Sequence, residues 1–158
     1  MDKWMERLKP LLDGLDTAGA WFGLLALRLV LAKEFWNAGL AKLNGQNGFF
    51  DIQAQLPFPF SMLPPSFSWQ LAAGCELLGA LALLLGLGTR LSALALSILT
   101  LVAIAAVHAG HGDTISGWKL PLIYLAMLLP LILSGPGKLS IDHGLRRHFL
   151  RSQRRLWS

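Results

Sequence analysis

The sequence predicts an all-α integral membrane protein, a bundle of four transmembrane helices, from its composition and from the lengths of its apolar segments. The 158 residues are 54% hydrophobic and only 15% charged, whereas charged residues make up about 25% of ordinary soluble domains. The mean hydropathy is +0.51. Four segments meet or approach the roughly 20 apolar residues that a helix needs to cross a bilayer. They are residues 18–43, 69–87, 91–109 and 119–134.

The first two predicted helices are joined by a long outer loop, residues 44–68. This loop contains Asn44-Gly45 and is rich in proline and phenylalanine: Pro57, Pro59, Pro64, Pro65, Phe58, Phe60 and Phe67. The composition predicts an ordered loop, or a re-entrant cap, at the membrane surface. The remaining connections are a tight turn at residues 88–90 and a polar loop at residues 110–118.

The fourth apolar segment is the shortest, and prolines and glycines mark its course. Pro121 lies where the first turn of a helix accepts proline, and Pro130 should kink the helix. The run Gly135-Pro136-Gly137 then stops it. Residues 141–157 follow as a basic helix that we expect to lie at the membrane interface.

The distribution of lysine and arginine predicts that both ends of the chain face the cytoplasm, because cytoplasmic loops carry the excess of these residues. With the N-terminus inside, the ten inner residues are Lys3, Arg7, Lys9, Arg90, Lys138, Arg146, Arg147, Arg151, Arg154 and Arg155, and the two outer ones are Lys42 and Lys119. Residues 1–17 then form a cytoplasmic segment, residues 18–137 the transmembrane domain, and residues 138–158 a basic cytoplasmic tail. The tail indicates contact with anionic membrane lipids, and nucleic acid is not an expected partner.

The single cysteine, Cys75, excludes an internal disulfide and a CxxC redox pair. We interpret it as a packing cysteine, since buried thiols mostly behave as small apolar groups. No cleavable signal peptide is expected, because residues 1–16 mix acidic with basic side chains and the first apolar segment contains Arg28.

Charged residues inside the predicted spans are the strongest indication of a functional site. Four lie within the first two segments: Arg28, Lys33, Glu34 and Glu76. Each such charge costs about 2.5 to 3.5 kcal/mol on insertion scales. At a rise of about 1.5 Å per residue, Glu76 lies roughly 10 Å, Glu34 roughly 13 Å and Arg28 roughly 22 Å below the outer surface. The polar groups therefore converge on the outer half of the bundle.

The charged positions fall on the glycine-bearing faces of the first two helices. At about 100° per residue, two stripes form. They are Arg28, Phe35, Gly39 and Lys42 in the first helix, and Glu76, Gly79, Ala80, Leu83 and Leu87 in the second. Glycine lets another helix approach closely, so both stripes should face inward. Because an unpaired charge is costly in lipid, we expect Arg28 or Lys42 to pair with Glu76.

A series of different short motifs extends along the whole hydrophobic body. They are Leu27-Arg28-Leu29, Phe35, Gly39, Lys42-Leu43, Glu76, Leu78-Gly79, Gly86-Leu87, Thr89-Arg90, Ala93, and the closing run Gly135-Pro136-Gly137-Lys138-Leu139-Ser140-Ile141-Asp142. In order and spacing, over about residues 24–142, they resemble those of the DoxX family of small bacterial membrane proteins. A branch linked to the maturation of copper-binding modified peptides is the most similar, through Phe35-Trp36, Pro57-Phe58-Pro59 and Val107-His108.

The resemblance implies a four-helix protein of the bacterial inner membrane, of a kind often described as a quinone-linked oxidoreductase subunit. Lys33-Glu34 departs from the family pattern, in which small or apolar residues are common at these positions. These two residues are specific to this protein, or Lys33 snorkels to the membrane interface.

The leading functional hypothesis is a quinone-linked redox subunit with its site in the outer half of the bundle. Arg28 and Lys42 would bind the quinone oxygens, and Glu76 and Glu34 would exchange protons. The aromatic side chains expected to pack against the ring are Trp36, Trp118 and Tyr124. The sequence carries no haem, flavin or iron–sulfur motif, so electrons would come from a partner protein or a bound small molecule.

Three alternatives remain open. Arg28 and Glu76 could form a structural ion pair that fixes helix register. The chain could be a non-enzymatic partner that anchors a redox or peptide-modifying complex in the membrane or periplasm, through its outer loop and basic tail. Copper could bind His108 and His111, which a continuing helix would place on one face. Because Gly110 lies between them and can end the helix, two interfacial histidines are the simpler interpretation.

Overall fold

The computed structural model describes residues 2–45, 47–110 and 116–145, and side chains within residues 8–16, 18–19, 21–45, 47–106 and 119–145. Every regular element in these ranges is helical. The helices are α1 (Asp2–Ala18), α2 (Leu24–Asn44), α3 (Phe49–Ile52), α4 (Pro65–Leu85), α5 (Thr89–Gly110) and α6 (Ser116–Ser134). A π-helical turn, Gly19–Gly23, joins α1 to α2 without a break, and two short 3-10 turns, Gln53–Gln55 and Phe60–Met62, follow α3.

Three helical stretches of the described chain are long and apolar enough to cross a membrane. They are Leu8–Asn44, Pro65–Leu85 and Thr89–Ala106. A fourth apolar helix, Lys119–Ser134, is shorter. The prediction of an all-α membrane protein is thereby confirmed, while the count of four spans and their orientation stay predictions.

The ends of the helices differ from the predicted ones where proline and glycine act. The second predicted helix was expected from residue 69, but α4 begins at Pro65, because the extended Pro64 places Pro65 in the first turn, where no backbone donor is needed. It ends at Leu85, since Gly86 adopts the left-handed conformation at φ +69°. The first helix begins at Asp2 rather than near residue 18. The loop residues 111–115 and the tail beyond residue 145 lie outside the described chain.

Helices α2, α4, α5 and α6, the four long helices of the bundle, pack together. In this bundle α2 and α5 each pack against both α4 and α6. Its core holds Leu31, Phe35, Ala80, Leu83, Leu96, Leu128 and Leu131. Two glycines set the close approaches, as the sequence predicts. A Cβ on Gly39 would lie 2.7 Å from Leu77 Cγ, and one on Gly79 would lie 2.9 Å from Leu96 Cγ.

One end of the bundle, here named the turn end, consists of the turn at residues 86–88 and the segment at residues 135–142 folded against it. Asp142 accepts hydrogen bonds from the backbone N–H groups of Gly88 (2.9 Å), just before α5, and of Thr89 (3.1 Å), its first residue. Its own N–H donates to the Gly86 carbonyl at 3.0 Å. A carboxylate at a helix N-terminus satisfies free N–H groups and complements the helix dipole. The other end, named the cap end, carries the connection between α2 and α4.

Candidate functional site

A cavity of about 760 Å³ lies in the cap-end half of the bundle. All four long helices and the connection contribute to its wall. The lining residues are Glu34, Phe35, Asn37, Ala38 and Lys42 of α2, Ser68, Leu71, Ala72, Cys75 and Glu76 of α4, Ala95, Ile98, Leu99, Thr100, Val102, Ala103 and Ala106 of α5, Leu120, Pro121 and Tyr124 of α6, and Phe49, Ile52, Leu56 and Phe60. Most of these side chains are apolar, and the volume is within the roughly 300–1,000 Å³ typical of small-molecule sites.

The connection between α2 and α4 is an ordered cap, as its composition predicts. Gln53 is buried and organises it: the Nε2 group donates to the carbonyls of Phe60 (2.7 Å) and Leu63 (2.8 Å), and Ser68 Oγ lies 3.1 Å from the same nitrogen. Trp69 Nε1 donates to the Lys42 carbonyl at 3.0 Å, which ties the start of α4 to the end of α2. These bonds hold four apolar side chains of the connection over the cavity.

Lys42 and Glu76 form an ion pair on the cavity wall. Lys42 Nζ donates to Glu76 Oε1 at 2.6 Å and to Oε2 at 2.7 Å. The side chains are only 21% and 9% exposed, so little water competes for them. Of the two partners expected for Glu76, the structure therefore selects Lys42, and the two charges offset each other's desolvation.

A second polar pair on the same wall joins α2 to α6. Tyr124 Oη donates to Glu34 Oε2 at 3.0 Å. The Tyr124 ring packs against Phe35, with centroids 5.6 Å apart. Four of the residues predicted for the site, Glu34, Lys42, Glu76 and Tyr124, thus line one cavity.

Arg28 does not belong to this site. Its guanidinium is buried at the turn end, where Nε donates to the Leu83 carbonyl (2.8 Å), Nη2 to Leu84 (3.0 Å), and Nη1 to Pro136 (3.0 Å) and Leu139 (2.7 Å). These carbonyls are freed by the end of α4 and by the irregular segment after α6. The expectation that Arg28 binds a ligand oxygen in the outer half is corrected: its donors are engaged in holding α2, α4 and the closing segment together.

Trp36 also lies away from the cavity. It shares a smaller groove on the outside of α2 and α4 with Lys33, Ala80 and Leu81, and it is 37% exposed. The reason is helical geometry, because Phe35 points inward and its neighbour is rotated by about 100°. The expected packing of Trp36 against a bound ring is therefore not supported by its position.

Three further predicted residues cannot be placed by their side chains. His111 lies outside the described residues, and so do the side chains of His108 and Trp118. Within the described residues no group of three or more histidine, cysteine, aspartate or glutamate side chains could hold a metal ion. The copper hypothesis stays a prediction.

Two features of the site were missed at the level of sequence. Cys75, expected to be a packing residue, lines the cavity next to Glu76. Gln53 was not singled out, although its position in a loop full of proline and phenylalanine made it a candidate to satisfy the free carbonyls there. The width of the cavity explains Cys75, since two adjacent residues of α4 can reach so broad a space.

The arrangement suits a lipophilic molecule with a small number of oxygen atoms. Apolar walls favour a ring or an isoprenoid-like chain by excluding water. The ammonium and the phenol are hydrogen-bond donors, and the two carboxylates are acceptors that can also carry protons. The described site therefore offers acid–base groups and hydrogen-bond donors.

Comparison with known proteins agrees with the motifs in the sequence. The sequence model of the DoxX family matches residues 23–109. This range includes Glu34, Lys42 and Glu76 of the cavity wall, but not Tyr124. An uncharacterized protein of Haemophilus influenzae is 48% identical over 126 residues, which cover 78% of this chain and 83% of that protein. No solved structure matches the chain.

Proposed function

The chain belongs to the DoxX family of membrane proteins, and on that premise we propose that its cavity binds a membrane quinone as part of a redox system. The observation that carries this proposal is one cavity of about 760 Å³ whose apolar wall bears the pairs Lys42–Glu76 and Glu34–Tyr124. A quinone joins an apolar ring and tail to two carbonyl oxygens, which this wall could receive.

In this proposal the chain spans the inner membrane four times, with both ends inside and the cavity in the outer half. The shorter helix α6 would then be the fourth span, with its residues before Lys119 completing the crossing. The excess of lysine and arginine on the inner side supports this orientation. The Lys42 side chain, at the cap end, would lie near the outer interface.

The residues of the chain would orient the quinone and supply protons. Lys42 Nζ donates a hydrogen bond to one oxygen, and Glu76 holds that ammonium in place. Tyr124 Oη is the hydrogen-bond donor beside the second carboxylate, that of Glu34. Reduction of a quinone to a quinol takes two electrons and two protons; Glu76 and Glu34 are the groups able to pass protons, and a redox partner protein supplies the electrons.

The proposal is tested by measuring quinone affinity of the purified protein in lipid nanodiscs. A ubiquinone with one isoprene unit serves as the probe. The double variant Lys42→Met/Glu76→Gln removes the ion pair and leaves no unpaired charge. We expect its Kd to rise at least about tenfold, because a hydrogen bond from a charged donor is worth about 1.5–3 kcal/mol.

The matched control is Lys33→Met, which removes a lysine of the same helix that lies outside the cavity. Its Kd should equal that of the wild type. If both variants bind the probe as the wild type does, or if the wild type does not bind it, the cavity is not a quinone site.

A second candidate function, a non-enzymatic anchor for a partner complex, is supported by the outer surface of the cap. Phe58 and Met62 are 79% and 77% exposed. Exposed side chains of this size near a membrane surface are suited to contact a protein partner. Under this alternative, Phe58→Ser/Met62→Ser would abolish co-purification of a partner, and Lys42→Met/Glu76→Gln would preserve it. The reverse result would favour the cavity.

A further inference from the structure

Helix α1 carries an apolar face that the rest of the described protein leaves uncovered. Leu8, Leu11, Leu12 and Leu15 are between 51% and 64% exposed. Their spacing of three and four residues places them on one side of the helix. The charged residues Lys9, Asp13 and Asp16 lie off this side, roughly 90° to 150° from the centre of the leucine stripe. The helix is thus strongly two-faced, although it runs directly into a transmembrane helix.

The length of this continuous helix shows that α1 cannot lie within the hydrocarbon together with α2. The stretch Leu8–Asn44 has 37 residues, which corresponds to about 55 Å at 1.5 Å per residue. The hydrocarbon core is about 30 Å thick, and α2 alone, with 21 residues, reaches about 31 Å. Fitting the whole stretch would need a tilt of about 55°, beyond the usual range of 0–40°.

The packing of α2 fixes which part of the stretch crosses the membrane. Arg28 is bonded to carbonyls at the end of α4, and Lys42 to Glu76 nearer its start. Therefore α2 lies alongside α4 over its whole length. Helix α1, which precedes α2 in the chain, lies beyond the turn end. Trp21 lies at this boundary, with Lys138 Nζ 5.1 Å from its ring centroid. Tryptophan and lysine are the side chains typical of the membrane–water interface.

The junction between α1 and α2 is a place where a helix can bend. Gly19–Gly23 is a π-helical turn, and sharp helix kinks are commonly found at such turns. A Cβ on Gly19 or on Gly23 would meet nothing within 4 Å, so the two glycines that bound this turn are not packed against another helix.

We propose that α1 lies in the plane of the bilayer surface on the turn-end side, with its four leucines inserted among the lipids. Left projecting straight from the bundle, the leucine face would be in water. The helix carries Asp2, Glu6, Asp13 and Asp16 against Lys3, Arg7 and Lys9, four negative charges to three positive. The partner that fits is therefore the apolar edge of the bilayer rather than an anionic headgroup, and binding should not require acidic lipid.

Spin labels on the two faces of α1 test the proposal. Single cysteines at Leu8, Leu12, Lys9 and Asp16, each in a Cys75→Ala background, are labelled in nanodiscs of phosphatidylcholine. Collision rates are measured with oxygen, which enters lipid, and with a water-soluble nickel chelate. We expect labels at 8 and 12 to favour oxygen and labels at 9 and 16 to favour nickel, by several-fold in the ratio of the two rates.

Each other pattern overturns the proposal. Nickel preference at all four sites means that α1 stands in water. Oxygen preference at all four means that it enters the membrane, and low access to both reagents at sites 8 and 12 means that a protein, such as a second copy, covers the face. An identical pattern in discs with and without phosphatidylserine is also expected, and a leucine face that inserts only with phosphatidylserine contradicts the apolar mode of binding.

An unlabelled measurement guards against disturbance by the labels. In the same nanodiscs, trypsin should cleave the wild type slowly after Arg7, because α1 is held on the surface. Leu12→Asp/Leu15→Asp should be cleaved at least tenfold faster, whereas Asp16→Asn should be cleaved at the wild-type rate. Equal rates for all three proteins would overturn the proposal.

Discussion

Among individual residues, the charged side chains that face the interior of the bundle divide into two kinds. Arg28 has its donors engaged by backbone carbonyls at the turn end, whereas Lys42, Glu34 and Glu76 line the cavity. The sequence indicated that Arg28, Glu34 and Glu76 were unusual, because a charge in a span is costly. It could not separate them, since Pro136 and Leu139, which accept from Arg28, are 108 and 111 residues away in the chain.

Arg28→Lys should strongly destabilise the protein. A lysine ammonium at this position is a single point and cannot reach carbonyls of α4 and of the closing segment at the same time. We expect a loss of about 3 kcal/mol or more in the free energy of unfolding, measured by denaturation in detergent micelles. Lys33→Gln, an exposed position of the same helix, is the control and should change stability little. A stable Arg28→Lys protein would mean that the carbonyl contacts are dispensable.

Lys42 and Glu76 should be energetically coupled. Removing one partner leaves the other charge nearly buried, which costs more than removing both. In a double-mutant cycle of Lys42→Met and Glu76→Gln, the losses of the single variants should together exceed that of the double variant by about 1 kcal/mol or more. Thermal denaturation in detergent provides the measurement. Additive losses would show that the pair contributes no interaction of its own.

Among the helices, the residues at which a helix begins and ends follow from local sequence preferences. The contacts between distant parts of the chain do not. Pro65 and Gly86 delimit α4 through their backbone preferences, and only the exact residue was missed. The inward stripes of α2 and α4 were predictable because helical periodicity places buried residues on one face. The capping of α5 by Asp142 was not, because a cap supplied 53 residues away leaves no local pattern.

Gly86→Ala should destabilise the turn end. An alanine in the left-handed conformation costs about 1–2 kcal/mol, and its Cβ would also lie 2.6 Å from Ser140 Cβ. We therefore expect a clear fall in the melting temperature in detergent. Gly74→Ala inside α4, where a Cβ meets nothing within 4 Å, should not lower it. Equal behaviour of the two variants would show that the turn end tolerates a side chain at Gly86.

For the molecule as a whole, the sequence predicted the membrane class and the half of the bundle in which polar residues gather. It did not reveal the cavity, because an internal space depends on how far apart α2 and α5 stand, not on any single helix. It also placed Trp36 in the site, although adjacent positions of one helix face opposite environments. The interior of the bundle, rather than its charges alone, therefore defines the candidate site.

Filling the cavity should displace any ligand without altering the polar pairs. Ala103 of α5 lines the cavity, whereas Ala105, two residues further on, does not; both alanine side chains are exposed. Ala103→Trp occupies part of the cavity, and Ala105→Trp adds the same side chain to the outer face. Both proteins should insert in the membrane and purify in similar amounts, which makes them a matched pair.

The most direct measurement is mass spectrometry of the lipids extracted from the wild type and from these two variants, purified in mild detergent from bacterial membranes. We expect quinone in a fixed molar proportion to the wild type and to Ala105→Trp, and at least tenfold less with Ala103→Trp. Equal amounts of quinone in all three extracts, or none in the wild type, would contradict a quinone site in this cavity.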